Sequence, residues 1–168
     1  MTEITPQQRE FRQAMAHLAA AVNIVTTEGP HGKLGITVTA VCSVTDTPPT
    51  VLVCVNKRSA AHDIFQNNGV VAINVLGSDQ SELAQHFAGS TNVPMAERFT
   101  WDIWDEDSDA PTLRDARVAL VGRIRDTYSR GTHTVMFVEL HSIRTCCETA
   151  GLIYDSRNFH RVGELSTI

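Results

Sequence analysis

The most informative patterned stretch of the chain is a period-two alternation from Leu34 to Thr45. Leu34, Ile36, Val38, Ala40, Cys42 and Val44 share one parity; Gly35, Thr37, Thr39, Val41, Ser43 and Thr45 share the other. Alternation of this length predicts a half-buried strand. Its second face is small and hydroxyl-rich, which leaves room for something flat against the backbone; a threonine-rich strand facing water has the same pattern. Asp46-Thr47-Pro48-Pro49 breaks the run, and the nearly continuous apolar stretch Thr50 to Val55 predicts a central strand.

Upstream, Thr5-Pro6-Gln7-Gln8 has the form of a helix start, with threonine as cap, proline first and glutamine three residues after the cap. The predicted helix covers about residues 6–20, and Phe11, Met15 and Leu18 recur at the spacing of one packed face. Val22 to Thr27 is strand-like, Glu28 to Lys33 is a turn by its glycines and proline, and the alternating run after it completes a hairpin. Beyond Val55, Ser59 fits a helix N-cap and Gly69 the residue just past the helix end. Val70 to Val75 predicts a strand and Ser78 to Phe87 another short helix, while Ser90 to Asp109 is polar and loop-like despite Trp101 and Trp104. Two alternating runs, Ala116 to Tyr128 and Thr132 to Thr145, flank a Ser129-Arg130-Gly131 turn, and Gly151 to Tyr154 predicts a last short strand before an Arg/His-containing tail. The sum is about six or seven strands and three short helices without regular βαβ alternation. A parallel dinucleotide fold is disfavoured, and a mainly β protein with short α-helices, a closed or split antiparallel barrel, is expected.

Composition narrows this reading. With 168 residues the chain is expected to be a single domain, 1–168, large enough for a core without staples. A net charge of -5 argues against nucleic-acid binding by phosphate neutralisation, but leaves room for one small anion at a local basic site. Cys42, Cys54, Cys146 and Cys147 have neither C-x-x-C nor zinc-type spacing, which fits free thiols in a reducing, cytoplasmic compartment. The start Met-Thr-Glu-Ile-Thr-Pro has no basic stretch, and the run Ala14 to Val25 is too short to span a bilayer, so no membrane association is expected.

Candidate chemistry is sparse. Neither G-x-G-x-x-G after a strand nor a P-loop is present, so nucleotide phosphates would need another holder. Asn56-Lys57-Arg58-Ser59, opening a predicted helix, offers backbone N–H groups, two cations and a hydroxyl; a capped helix with two solvated basic side chains reads the same. The seven histidines include no H-x-H or H-E-x-x-H, and no metal site is expected. No G-x-S-x-G elbow exists, and Cys42 on an alternating strand reads as structural. His133 follows a hairpin turn, where an imidazole can reach a pocket mouth or simply face water; Tyr154 and Arg161 are equally ambiguous alone.

Five segments taken together are recognisable. The runs Gly35 to Pro49, Asn56 to His62, His86-Phe87-Ala88-Gly89, Gly131-Thr132-His133 and Gly151 to Tyr154 resemble, in order, those of the short-chain flavin reductases with an FMN-binding split barrel. The likeness runs from Phe11 to His160. It implies a Greek-key split β-barrel and a homodimer that uses NADH or NADPH to reduce FAD or FMN. The reduced flavin would pass to a separate flavin-dependent monooxygenase, of the aromatic, 4-hydroxyphenylacetate type. By the same resemblance Thr37, Thr39, Ala40, Val41, Cys42 and Ser43 lie along the flavin rings, largely through backbone. Val55, Asn56, Lys57, Ser59 and His62 lie toward its ribityl-phosphate end, and Ala88 and Gly89 close over it. His133 takes the catalytic place beside nicotinamide and flavin, with Tyr154 nearby. Two rival readings are a reductase of the same fold serving another monooxygenase, as in pyrimidine catabolism, and a non-catalytic flavin-binding split-barrel protein.

Overall fold

The computed structural model describes residues 4–105, 107–146 and 149–162; Cys147 lies outside them. Helix α1 (Pro6–Ala16) starts as its sequence dictates: the Thr5 hydroxyl accepts from the Gln8 N–H, and the Gln8 side chain accepts from the Thr5 N–H. It ends at Ala16 rather than near residue 20, and it buries none of its residues. Phe11, Met15 and Leu18, expected to pack, are 64%, 46% and 63% exposed. The helical periodicity is real, but among the described residues nothing covers the apolar face.

Strand β1 (Ala20–Ala21) and β2 (Asn23–Thr27) belong to different sheets, because the chain changes partner at Val22, whose N–H donates to the Leu152 carbonyl. Next come β3 (Leu34–Val38), β4 (Val41–Asp46), β5 (Pro49–Asn56), helix α2 (Ala61–Asn68) and β6 (Val70–Val75). Helix α2 ends as expected at Gly69, whose φ of +71° suits glycine. Its N-cap position, however, is Ala60, and the Ser59 hydroxyl accepts from the Ala61 N–H instead. Helix α3 (Ser81–Phe87) begins three residues later than predicted, since Gly77 to Gln80 closes a turn through the Gln80 N–H and side chain. The segment read as loop contains α4 (Met95–Arg98) and β7 (Trp104–Asp105), the latter paired with β8 (Thr112–Leu113). Phe87, Phe99 and Trp104 stack there, and the Trp104 indole donates to the Arg98 carbonyl at 2.9 Å. The tryptophans that looked stranded in a polar segment are therefore a lid on the core.

The long C-terminal hairpin is β9 (Val118–Arg130) and β10 (His133–Thr145), with two register shifts. Its turn is Gly131-Thr132, closed by the Arg130/His133 pair, two residues beyond the predicted start; Gly131 supplies a φ of +53°. Two short strands, β11 (Leu152–Asp155) and β12 (Asn158–Arg161), form a three-stranded sheet with β1; the second of them is absent from the sequence reading.

The main sheet has seven antiparallel strands in the order β3-β2-β6-β9-β10-β5-β4. Strands β6, β9 and β10 lie side by side while β5 returns next to β10, which is the Greek-key arrangement. The two outer strands, β3 and β4, are consecutive halves of the one predicted strand, separated only by Thr39 and Ala40. The ring is thus joined by covalent chain rather than by a ladder, and the barrel is split there. Its interior holds Val25, Val53, Val55, Ile73, Met136 and Val138, with Ala61 and Phe65 of α2 seated among them. Ile24, on the opposite face of β2, and Val22 just before the strand join a second cluster with Phe87 of α3 and Trp104. Because β2 serves both clusters, all five of its residues are buried. Its polar ones are satisfied: the Thr26 hydroxyl donates to the Pro111 carbonyl, and the Thr27 hydroxyl to the Val70 carbonyl.

Candidate functional site

Three distant segments converge on one cavity of about 400 Å³. Thr37, Val38 and Thr39 come from the end of β3, Gln85, Ala88 and Ser90 from the end of α3, and Tyr154, Arg157 and Phe159 from the β11–β12 hairpin, with Val22 behind. The volume and the mix of aromatic, hydroxyl and aliphatic walls are those of a small-molecule site. The Thr37 hydroxyl donates to the Ala84 carbonyl at 2.6 Å, so it fastens α3 to the barrel. Tyr154 is held edge-on by Phe159, its cross-strand partner, at 5.4 Å between ring centroids. Gly89, next to Ala88, has a φ of +77°, which turns the chain at the α3 end.

A second group gathers at the end of the β5–β10 pair. Asn56 is opposite His133, and the Lys57 N–H donates to the Thr132 carbonyl. The Lys57 ammonium donates to the Gly131 carbonyl at 2.9 Å, and the His133 Nδ1 lies 2.9 Å from the Thr132 hydroxyl. The expected row of free backbone N–H groups is not there. Those of Arg58 and Ser59 donate to the Asn56 side chain and carbonyl, and that of His62 to the Ser59 carbonyl. An anion at this turn would meet side chains, chiefly Lys57 and Arg58, rather than a helix terminus.

His62 is already engaged on both ring nitrogens. Nδ1 is 2.6 Å from the Asp63 carboxylate and Nε2 is 2.9 Å from the buried Thr134 hydroxyl. A carboxylate only accepts, so Nδ1 carries the proton and, in the neutral ring, Nε2 accepts from Thr134. His62 therefore ties α2 to the strand that carries His133. Val55 places its side chain in the barrel core, so only its backbone is available to a ligand. Cys42 and Ser43 lie on the exposed outer strand β4, and Val41 before them is half-buried. Burial pushes the Cys54 thiol up, so it stays protonated and inert near neutral pH.

The two groups are linked by the crossing between β3 and β4. Thr39 lines the cavity, and the Ala40 carbonyl accepts from the Cys54 N–H at 3.1 Å, two residues before Asn56. A flat molecule resting on Thr39 and Ala40 would have the cavity on one side and the Lys57 turn on the other. The cavity residues missing from the sequence reading are Gln85, Ser90, Arg157 and Phe159. Nothing local marked them; only the pairing of β11 with β1 carries the last hairpin there. Among the described residues no group of three or more His, Cys, Asp or Glu side chains could hold a metal ion.

The fold and the site together define a split antiparallel barrel with a small-molecule cleft at its seam. Residues 15–163 match the flavin reductase like domain, and the chain belongs to that family. It is 47% identical, over 96% of both chains, to the 4-hydroxyphenylacetate 3-monooxygenase reductase component of Pseudomonas aeruginosa. It is 42% identical to the FMN reductase (NADH) RutF of Pseudomonas syringae, over 92% of this chain and 86% of that one. Among solved structures, the NADH:FAD oxidoreductase SgcE6 of Streptomyces globisporus superposes with a TM-score of 0.85 at 26% identity, over 98% of this chain and 99% of that one.

Proposed function

We propose that the protein is an NAD(P)H:flavin oxidoreductase that reduces FAD or FMN and supplies the reduced flavin to an aromatic, 4-hydroxyphenylacetate-type monooxygenase. The observation that carries this is the convergence of Thr37 to Thr39, Ala88 and Tyr154 on one cavity, joined through Ala40 to the Lys57 turn. A bound flavin supplies hydride acceptance by itself, and the chain has to hold two rings in register. Thr39 and Ala40 offer a narrow backbone shelf, while Asn56, Lys57 and Ser59 offer donors for the ribityl-phosphate end. His133, opposite Asn56 on the neighbouring strand, is assigned the place beside the nicotinamide and flavin rings in this reading. The walls are open and their aromatic residues few, which suits a flavin taken up and released. Flavin-dependent loss of NADH absorbance, run in parallel with FAD, FMN and riboflavin, tests the reading. Turnover is expected with FAD or FMN; NADH consumption that ignores added flavin would refute it. Reconstitution with purified monooxygenases, offered phenols in one arm and pyrimidines in the other, identifies the partner.

The exposed α1 face supports a homodimer. Phe11, Met15 and Leu18 form an apolar stripe left open by the described residues, and β4, an outer strand, exposes Val44 as well. Such a combination calls for a covering surface. Phe11→Lys with Met15→Lys is expected to shift the sedimentation coefficient from dimer to monomer; a wild-type protein already monomeric at micromolar concentration rules the dimer out. Among the described residues no helix is long and apolar enough to cross a membrane. Free thiols at Cys42, Cys54 and Cys146, with a need for cellular NADH, favour the cytoplasm.

A further inference from the structure

His62, in the first turn of α2, has no ring nitrogen left over. Nδ1 donates to the Asp63 carboxylate, Nε2 accepts from the Thr134 hydroxyl, and the side chain is only 12% exposed. Thr134 is itself buried. Both hydrogen-bonding positions of the imidazole are spent on the protein, so His62 has no donor to give a phosphate. The resemblance puts it at the ribityl-phosphate end of a flavin; the geometry gives it a place behind that end instead, facing β10.

Three consecutive residues, Thr132, His133 and Thr134, meet the segment from Asn56 to His62. The Thr132 carbonyl accepts from the Lys57 N–H, His133 pairs with Asn56, and the Thr134 hydroxyl reaches His62. The segment is thus tied to the β10 hairpin near both of its ends. Between them its bonds are local: the Arg58 N–H donates to the Asn56 side chain, the Ser59 N–H to the Asn56 carbonyl and the Ala61 N–H to the Ser59 hydroxyl. Local bonds shape a turn without fixing its distance from a neighbouring strand. Ala61 and Phe65 seat α2 in the barrel by apolar contact, which has no direction, whereas the His62–Thr134 bond has one. We propose that His62 is a positioning residue: it holds Lys57 and Arg58 at a fixed place relative to β10 and so raises the affinity for phosphorylated flavins without touching them. This deepens the reductase reading, on which it rests. A ligand bound at the seam and at the turn together gains from parts held at the right spacing, and a ligand without the phosphate does not.

Fluorescence-quenching titrations with FMN and with riboflavin test this in the whole protein. His62→Leu cuts both ring bonds, Thr134→Val cuts only the bond to β10, and His62→Gln restores an acceptor near the place of Nε2. FMN affinity is expected to fall about three- to tenfold in His62→Leu and in Thr134→Val, the range for one neutral hydrogen bond. Riboflavin affinity should stay within about twofold of wild type, and His62→Gln should recover most of the FMN loss. In a Lys57→Met/Arg58→Met background, His62→Leu should have little further effect on FMN, because the cations through which it acts are gone; the mutant cycle measures that coupling. Equal losses for FMN and riboflavin overturn the proposal and leave His62 a support of the fold. An FMN loss that persists undiminished without Lys57 and Arg58 overturns it too, and assigns His62 a direct contact. Riboflavin bound by the wild-type protein as tightly as FMN also overturns it, since no phosphate contact is then there to position. Wild-type protein that prefers FMN to riboflavin yet oxidises no NADH with added flavin is a separate failure, that of the reductase reading.

Discussion

Lys57→Glu is expected to raise the dissociation constants of FMN and FAD by about ten- to a hundredfold at low salt, the range for losing one contact to a charged group and adding repulsion. The backbone N–H groups of Lys57, Arg58 and Ser59 already have acceptors, so the turn has little else to offer a phosphate. The Lys57 ammonium uses one donor on the Gly131 carbonyl and keeps two more. The substitution also removes that tether, and Lys57→Met, which loses tether and phosphate contact without adding a negative charge, separates the added repulsion from these losses. Riboflavin, lacking the phosphate, should bind both variants like the wild type. Added salt should narrow the difference, because the site is exposed and screened. Flavin quenching titrations give all of these values; equal FMN affinity in wild type and Lys57→Glu would place the phosphate elsewhere. The melting temperature should barely change, since Lys57 is on the surface.

Phe65→Ala should have the opposite profile. Phe65 is completely buried, and it projects from α2 into the barrel among Val53, Val55, Ile73 and Met136. Strands at the two sides of the split meet in this cluster, for Ile36 and Val38 of β3 and Val41 of β4 pack against it. With no ladder between those strands, the shared apolar contacts close the barrel. Truncating the ring leaves a cavity that the surrounding helix and strands cannot collapse into, and the cost is about 3–5 kcal/mol. For a chain of this size each kcal/mol moves the melting temperature by about 2–4 °C, so a fall of roughly 10 °C is expected. Thermal denaturation followed by circular dichroism measures it. A change within about 2 °C would mean that the barrel is closed by something other than this plug.

The contrast between these variants reflects what a chain states locally. The capping box at Thr5, the αL glycine at Gly69 and the alternation of β9 and β10 are written within a few residues, and the elements follow. The flavin-type motifs were legible in the same way, since each is a short contiguous run. Segment 90–109 was misread because its apolar residues are spaced irregularly; Phe99 and Trp104 find their partner only when Phe87 is brought over them. Strand β12 escaped because four residues give too little alternation to count. The exposure of Phe11 and Met15 was invisible for another reason: periodicity marks an apolar face but does not say whether the same chain covers it.

By itself the sequence determined most of the longer strands, their order of appearance, the helix ends at Thr5 and Gly69, and the runs that mark the family. These depend on backbone preference and side-chain period, which act over one to a few turns of chain. Only the tertiary structure decided that one alternating run becomes the two outer strands of a split ring, and that Thr39 and Ala40 cross between them. It alone brought Arg157 to the cavity, through the pairing of Ala20 and Ala21 with Tyr154 and Ile153 more than a hundred residues away. Pairing across such separations is selected by burial of the whole apolar set, so no local stretch can announce it.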